Sequence, residues 1–486
     1  MSRMRFIWKA TSALAWSVLG GIAILVLIGV WYLQNRPDLK IWHSTYLDTE
    51  FTEASNIGTF ADYLALEQVL FNQLDEEIIK KLPAKDKSAI NRFTPGSLSD
   101  PKQWAQNWNH SFVLPGSGPG VLLLHGMSDS PYSLRTIGSE LHSQGFSVLG
   151  LRLPGHGTAP SGLVRVEWED MAAAVRLAMK HLHQSTNGKP LYIVGYSNGA
   201  ALAVNYALAA IQDPDIPKPS ALALISPQIQ ITAAAALAKW QSLLGQFFDL
   251  GKLAWNSLQP EYDPYKYNSF AVNAGQQSFE ITQEIQAKLT DLRERKKLGE
   301  MPKILAFQSV ADATIIASGI IQGLLQRLPQ ANHQLVLFDI NRQSKSLNTI
   351  LNDPLGAIEK TMEKPEQPFA LTLVTNRTGN DDVVIARRRK PEQAHYEDTA
   401  LSLEWPADVF SLSHVALPFS WNDPLYGIVD DGNKNRIRLG RLDLRGERGV
   451  LQIPPADILR QRWNPFYKFL ATEISTFLKK DRTKPD

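Results

Sequence analysis

The amino-acid sequence predicts a doubly wound α/β fold: a mostly parallel, twisted sheet with helices on both faces. Three observations carry this. Continuous apolar runs occur at Val121–Leu124, Phe146–Leu151, Leu191–Val194, Ala221–Ile225, Ile304–Phe307 and Gln334–Phe338. Strands covered on both faces read this way, because neither side of the pleat meets water. Helical patterns lie between the runs, at Pro131–Ser143, Val166–His183, Ala200–Ile211 and Ile315–Leu328. Strand and helix therefore alternate rather than segregate, which is the grammar of a parallel sheet with crossover helices.

The elements in chain order begin with an apolar stretch. Residues 1–9 carry Arg3, Arg5 and Lys9, and Ala10–Leu33 then runs without a charge. As a helix at about 1.5 Å per residue, that run is about 36 Å long, enough for a hydrocarbon core of roughly 30 Å. Trp31 and Tyr32 sit at its far end as interfacial anchors do. The expectation is a single transmembrane anchor at 10–33 with residues 1–9 on the cytoplasmic side, as the positive-inside rule favours, and the remaining chain outside the cytoplasm. A cleaved signal peptide would need a small-residue site after a shorter apolar region, and none follows Leu33.

Residues 34–110 read as a mostly helical segment, with an amphipathic helix over Phe60–Leu82. The α/β core begins at 111–226, where Pro131 after Ser130 marks a helix start with Ser130 as its cap. Residues 227–300 form a helical excursion with an apolar stripe of Trp240, Leu243, Leu244, Phe247, Phe248 and Trp255. The core resumes over 301–486, interrupted by an insertion at 341–405, and closes on a helix over Ala456–Lys479 that Pro465 can break.

Composition narrows the chemistry. The chain has 486 residues, 44% hydrophobic and 20% charged, so global disorder is excluded. Lysine and arginine total 50 against 48 acidic residues, a balance that gives no support for nucleic-acid binding. There is no cysteine, hence no disulfide, thiolate metal site or thiol nucleophile.

One motif announces a reaction. Gly195-Tyr196-Ser197-Asn198-Gly199 follows the apolar run Leu191–Val194 and precedes the small-residue helix Ala200–Val204. A serine held between strand and helix sits in a strained turn, and Gly195 and Gly199 let the two backbones pass closely. Ser197 is the candidate nucleophile. Its oxyanion needs two donors: the backbone N–H of Asn198, and one from the loop after an earlier strand. That loop is His125–Pro131, and the Met127 N–H is the candidate. His125 reads as a structural histidine of that loop.

A general base must accompany the serine. Three histidines follow it: His333, His395 and His414. His333 opens a strand, at the wrong end of the sheet for a site at strand C-termini. His395 lies among charged residues. His414 ends the short apolar segment Phe410–Val415 and is the candidate base. The acid should follow a strand between serine and histidine. The run Ala221–Ile225 has no carboxylate after it until Asp249, whereas Ile304–Phe307 leads to Asp312. Asp312 is the candidate acid, with Asp339 in reserve.

The sequence at this point resembles the α/β-hydrolase fold family, and within it the branch of monoacylglycerol lipases and serine aminopeptidases. The residues that say so are Leu122–Met127, Leu153-Pro154-Gly155-His156-Gly157, Gly195–Gly199, Ala311-Asp312 and Ser413-His414. The resemblance covers about 110–340 and 405–425. It implies Ser197 as nucleophile, His414 as base, Asp312 as acid, and the Met127 and Asn198 amides as the oxyanion hole. It also implies that 227–300 is a cap over the substrate pocket. Chemistry through a serine acyl-enzyme needs no metal or organic cofactor. The interval from Asp312 to His414 is longer than the family leads one to expect.

The expected function is a membrane-anchored serine hydrolase cleaving carboxylic esters, with a small-molecule or lipid ester as substrate. An aminopeptidase would instead need an anionic site for the substrate amine, for which Glu261 and Asp263 are the candidates. A catalytically inactive interaction protein is a third reading, against which the retained serine, histidine and acid argue. The basic run Arg387–Lys390 reads as solvated charge. Oligomeric state has no sequence signal.

Overall fold

Strand Gly120–Leu124 (β2) is buried along its whole length, and its neighbours are built on it. Strand Phe112–Leu114 (β1) pairs antiparallel with Ser147–Leu151 (β3), which lies parallel to β2. On the other side, Leu191–Tyr196 (β4) and Ala221–Ile225 (β5) follow in parallel. A hairpin of Trp255–Ser257 (β6) and Phe270–Ala271 (β7) stands apart from the sheet. Lys303–Ser309 (β8) and Gln334–Phe338 (β9) then continue the parallel array. The sheet ends with Ala370–Asn376 (β10), parallel to β9, and antiparallel Val383–Arg389 (β11) and Glu397–Glu404 (β12). The order is β1-β3-β2-β4-β5-β8-β9-β10-β11-β12. This computed structural model describes residues 16–21, 24, 27–29, 31–230, 251–315, 317–330, 332–343, 353–356, 367–378, 383–441 and 455–482.

Helices cover both faces because the central strands are buried along their whole length and carry mostly apolar side chains. Leu122 and Leu124 pack on one side, against helices Trp168–Ser185 (α3), Asn198–Gln212 (α4) and Val272–Glu294 (α5). Val121 and Leu123 pack on the other, against Arg135–Ser143 (α2) and Tyr467–Arg482 (α7). The alternation is the two-residue period of a pleated strand, and each fully buried Leu or Val contributes about 1.5–3 kcal/mol. A capping box of Glu167 and Asp170 starts α3.

Several boundaries differ from expectation. The helix expected over Phe60–Leu82 is an α-helix only at Phe60–Leu74 (α1), capped by Thr59, and Asp75–Ile79 widens into a π turn. Much of 34–110 is turns and short 3-10 pieces rather than mostly helix. Ser130 does not cap through its side chain: its hydroxyl is buried without a partner, and Pro131 opens a 3-10 turn ahead of α2. The C-terminal helix is two, Pro455–Leu459 and α7, with a break between them that includes Pro465. The 341–405 segment is in part sheet: β10 to β12 extend it, so the long interval between Asp312 and His414 contains three added strands. Ile315–Leu328 holds the helix Ala317–Gly323 (α6) and a 3-10 turn.

Among the described residues, no helix is long and apolar enough to cross a membrane. Residues 10–15, 22, 23, 25, 26 and 30 of the expected span lie outside the described residues. So does 231–250 of the expected cap, including Trp240, Leu243, Leu244, Phe247 and Phe248.

The N-terminal segment is tied to the core by one buried arginine. Arg152, directly after β3, donates from Nε to Glu67 on α1 (3.0 Å) and from Nη2 to Glu50 (2.9 Å). Tyr63 of α1 donates back to the Arg152 carbonyl at 2.6 Å. Burial pushes the Glu67 carboxyl up, but hydrogen bonding from His110 and the Arg152 charge outweigh it and hold the group below its ordinary range. Removing Arg152 leaves Glu67 buried without its countercharge. Arg152→Ala should therefore destabilise the fold by roughly 3–5 kcal/mol in chemical denaturation. A loss under about 1 kcal/mol would show that the network is dispensable.

Candidate active site

The site grows from the turn between β4 and α4. Ser197 has φ 55° and ψ −116°, a conformation an L-residue adopts only under constraint. Two glycines permit it. A Cβ on Gly199 would collide with the carbonyl oxygens of Leu124 and His125, and one on Gly195 would lie 2.6 Å from the Ala200 Cα. The helix start thus lies against the end of β2, and the serine hydroxyl stands at the C-terminal edge of the sheet.

His414 comes from a 3-10 turn that tertiary hydrogen bonds hold in place. Ser309 on β8 donates its hydroxyl to the Leu412 carbonyl at 2.8 Å. Asn341, beyond β9, donates its backbone N–H to Phe410 (2.7 Å) and its side-chain amide to Val409 (3.1 Å). The imidazole Nε2 lies 3.0 Å from Ser197 Oγ, and Nδ1 lies 2.7 Å from Asp312 Oδ2. Asp312 also accepts the backbone N–H groups of Thr314 (2.8 Å) and Ile315 (3.0 Å) and the Gln308 side-chain amide (2.8 Å). Burial alone would raise its carboxyl, but the His414 charge and hydrogen bond together with those two backbone amides keep it below the ordinary carboxylate range. The three groups the sequence singled out thus form one hydrogen-bonded chain. The Met127 and Asn198 amides flank it, and neither donates a hydrogen bond among the described residues.

The remaining candidates lie elsewhere. Asp339 binds Arg342 (2.7 Å) and the Thr375 hydroxyl (2.7 Å) and does not reach His414. His333 is buried and accepts the Ile304 amide at 3.2 Å, and His395 is exposed. His125 accepts the Leu153 N–H at Nε2 (3.0 Å), so its proton is on Nδ1, directed at the Gly126 carbonyl (2.9 Å). Burial keeps it neutral, and it ties the oxyanion loop to the 153–157 loop. Of the two acids considered for an amine, Glu261 is buried with its carboxylate on the Asn268 and Ser269 amides, and Asp263 reaches the pocket.

This is an α/β-hydrolase fold. The strand–serine–helix turn after β4, the loop after β2 beside it, and the turns after β8 and β12 that carry Asp312 and His414 are its arrangement. The chain resembles the monoacylglycerol lipase and serine aminopeptidase branch, and residues 119–340 match the family model described as serine aminopeptidase, S33. A thermostable monoacylglycerol lipase of Bacillus sp. (strain H-257) is 31% identical over 121 residues, which are 25% of this chain and 45% of that relative's length. Among solved structures, the monoacylglycerol lipase of Paleococcus ferrophilus overlaps 47% of this chain and 88% of its own at 18% identity, TM-score 0.35. A soluble variant of monoglyceride lipase from Saccharomyces cerevisiae overlaps 47% and 80% at 19% identity, TM-score 0.35.

Around the turn that carries Ser197 is a cavity of about 280 Å³. Its wall includes Gly126, Met127 and Ser128 of the oxyanion loop, and Tyr262–Asn268 from the segment between β6 and β7. Sequence reasoning missed Lys266, Tyr426, Arg460 and Arg462 on that wall, since nothing in their local patterns marks them. Behind the oxyanion loop, burial pushes the Asp129 carboxyl up to about 7, against the pull of the Lys266 ammonium. An unfolded aspartate ionises near pH 4. Between about pH 4 and 7 the folded state then holds a proton that the unfolded state has lost, so this group costs stability as pH rises. Asp129→Asn keeps the acceptor for the Ser130 amide (2.9 Å) and removes the titration. Its melting temperature should gain on the parent's between pH 5 and pH 8, and a constant difference across that range would refute the account.

Proposed function

We propose that this chain is a membrane-anchored serine hydrolase that cleaves carboxylic esters through an acyl-enzyme on Ser197. The observation that carries this is the hydrogen-bonded run Ser197–His414–Asp312, set at a strained turn beside two undonated amides. His414 Nε2 accepts the serine proton as Oγ attacks the ester carbonyl, and Asp312 holds the imidazole by Nδ1 and balances its charge. The Met127 and Asn198 N–H groups donate to the developing oxyanion. His414 then protonates the departing alcohol, and the same imidazole activates water to release the acid.

An ester fits this site better than a peptide with a free amino terminus. Glu261 is consumed by backbone amides, Asp263 accepts the Tyr426 hydroxyl at 2.7 Å, and three cations line the wall. The monoacylglycerol lipase relative agrees with this choice. Replacing Ser197 with Ala should abolish fluorophosphonate labelling and lower ester turnover by about a thousandfold or more. Labelling that survives the substitution would remove Ser197 from the mechanism.

The anchor rests on Ala10–Leu33 and on its described side chains: Trp16, Leu19, Ile24, Leu27, Ile28 and Trp31 are all exposed. Such a row wants lipid rather than water. The full chain should sediment with membranes and resist a salt wash, with the catalytic part outside the cytoplasm, whereas protein lacking residues 1–33 should not sediment. Equal partitioning of the two would overturn the assignment.

A further inference from the structure

Three cations line the wall of the catalytic cavity, and they come from two distant parts of the chain. Lys266 lies between β6 and β7, while Arg460 and Arg462 precede α7. Arg460 donates to the Thr314 hydroxyl (3.1 Å), two residues beyond the triad acid. Arg462 donates to the Tyr262 hydroxyl (3.4 Å) and to the Asp457 carbonyl (3.2 Å). Lys266 is next in sequence to Tyr267, whose N–H donates to Ser128 on the oxyanion loop at 2.8 Å. The cations therefore flank the serine from the acid side and from the oxyanion side.

Three carboxylates, Asp263, Asp457 and Asp129, lie on or behind that wall, and each makes other contacts. Asp263 is occupied by the Tyr426 hydroxyl (2.7 Å) and by the backbone N–H groups of Tyr265 (2.9 Å) and Lys266 (3.1 Å). Asp457 accepts from the Gln259 side chain at 3.3 Å. Asp129, behind the loop, is the group that burial drives toward neutrality. Among the described residues, none of the three cations forms an ion pair with a carboxylate, and the buried Nε of Arg462 has no hydrogen-bond partner. Burial disfavours the charged forms of Lys266 and Arg462, while Arg460 stands nearer to solvent. An anion in the cavity would offset that cost, and guanidinium groups suit the paired oxygens of carboxylate and phosphate.

We propose that the substrate is an ester carrying a second, anionic group, carboxylate or phosphate, which Lys266, Arg460 and Arg462 hold while Ser197 attacks the ester carbonyl. This rests on the serine hydrolase reading above and names its substrate class. The anion stays intact: the only bond broken is the ester bond, to the acid and the alcohol.

The test compares matched ester pairs on the full chain in neutral detergent. One pair is 1-acylglycerol 3-phosphate against 1-acylglycerol, and the other is the mono-4-nitrophenyl ester of succinate against 4-nitrophenyl butyrate. The anionic member of at least one pair should be preferred about tenfold in kcat/KM at low salt, and the preference should shrink as salt rises. The pair that shows it tells phosphate from carboxylate. In the double variant Arg460→Gln, Arg462→Gln, the anionic-to-neutral ratio should collapse toward one, whereas Arg462→Lys should keep most of it. Preference for the neutral member in both pairs overturns the proposal. So does a ratio unmoved in a double variant whose melting curve is native, and so does fluorophosphonate labelling of the parent without turnover of any of the four esters. Absence of both labelling and turnover instead defeats the hydrolase reading itself.

Discussion

The structure depends on how closely helix α4 approaches strand β2. Gly199 touches the carbonyl end of that strand, and no side chain fits between them. This contact holds Ser197 at φ 55° and brings the Asn198 amide beside the loop that carries Met127. Backbone strain of this kind needs a rigid frame. The frame here is a parallel sheet whose central strands are buried from end to end and covered by helices on both faces.

Asp312 and His414 reach the serine by a different device. Asp312 belongs to the turn after β8, so the sheet itself delivers it. His414 arrives after four further strands, β9 to β12, 102 residues later in sequence. Its turn is held by Ser309, Asn341 and the Ser413 hydroxyl on the Gln461 carbonyl. Those bonds place an imidazole within hydrogen-bond distance of both partners despite the long excursion. The antiparallel strands β11 and β12 extend the sheet at its far edge, away from the elbow after β4.

Much of this was legible in the sequence. The parallel core is readable because strands without a wet face are apolar at every position. The elbow is readable because only small residues permit the crossing, and the acid because it follows a strand. The segments that sequence reading misjudged are those without period: the turns of 34–110, the break before α7, and the strands β10 to β12, whose segments carry weaker apolar signals. Arg152, Glu50 and Glu67 are the clearest omission. Each looks like an ordinary surface charge in its own stretch of chain, and only folding buries them together.

The sequence by itself determined the α/β class and the strand–serine–helix turn with its two glycines, and it singled out the Asp312 and His414 that the fold joins to Ser197 by hydrogen bonds, because these follow from local rules of burial, turn sterics and chain order. The tertiary structure alone decided what surrounds the serine. Lys266, Arg460 and Arg462 meet at one cavity although Arg462 is nearly two hundred residues from Lys266. No local pattern encodes that meeting. Charge in a pocket is set by which distant segments pack together, as when Tyr426 is brought onto Asp263 and Arg462 onto the same wall.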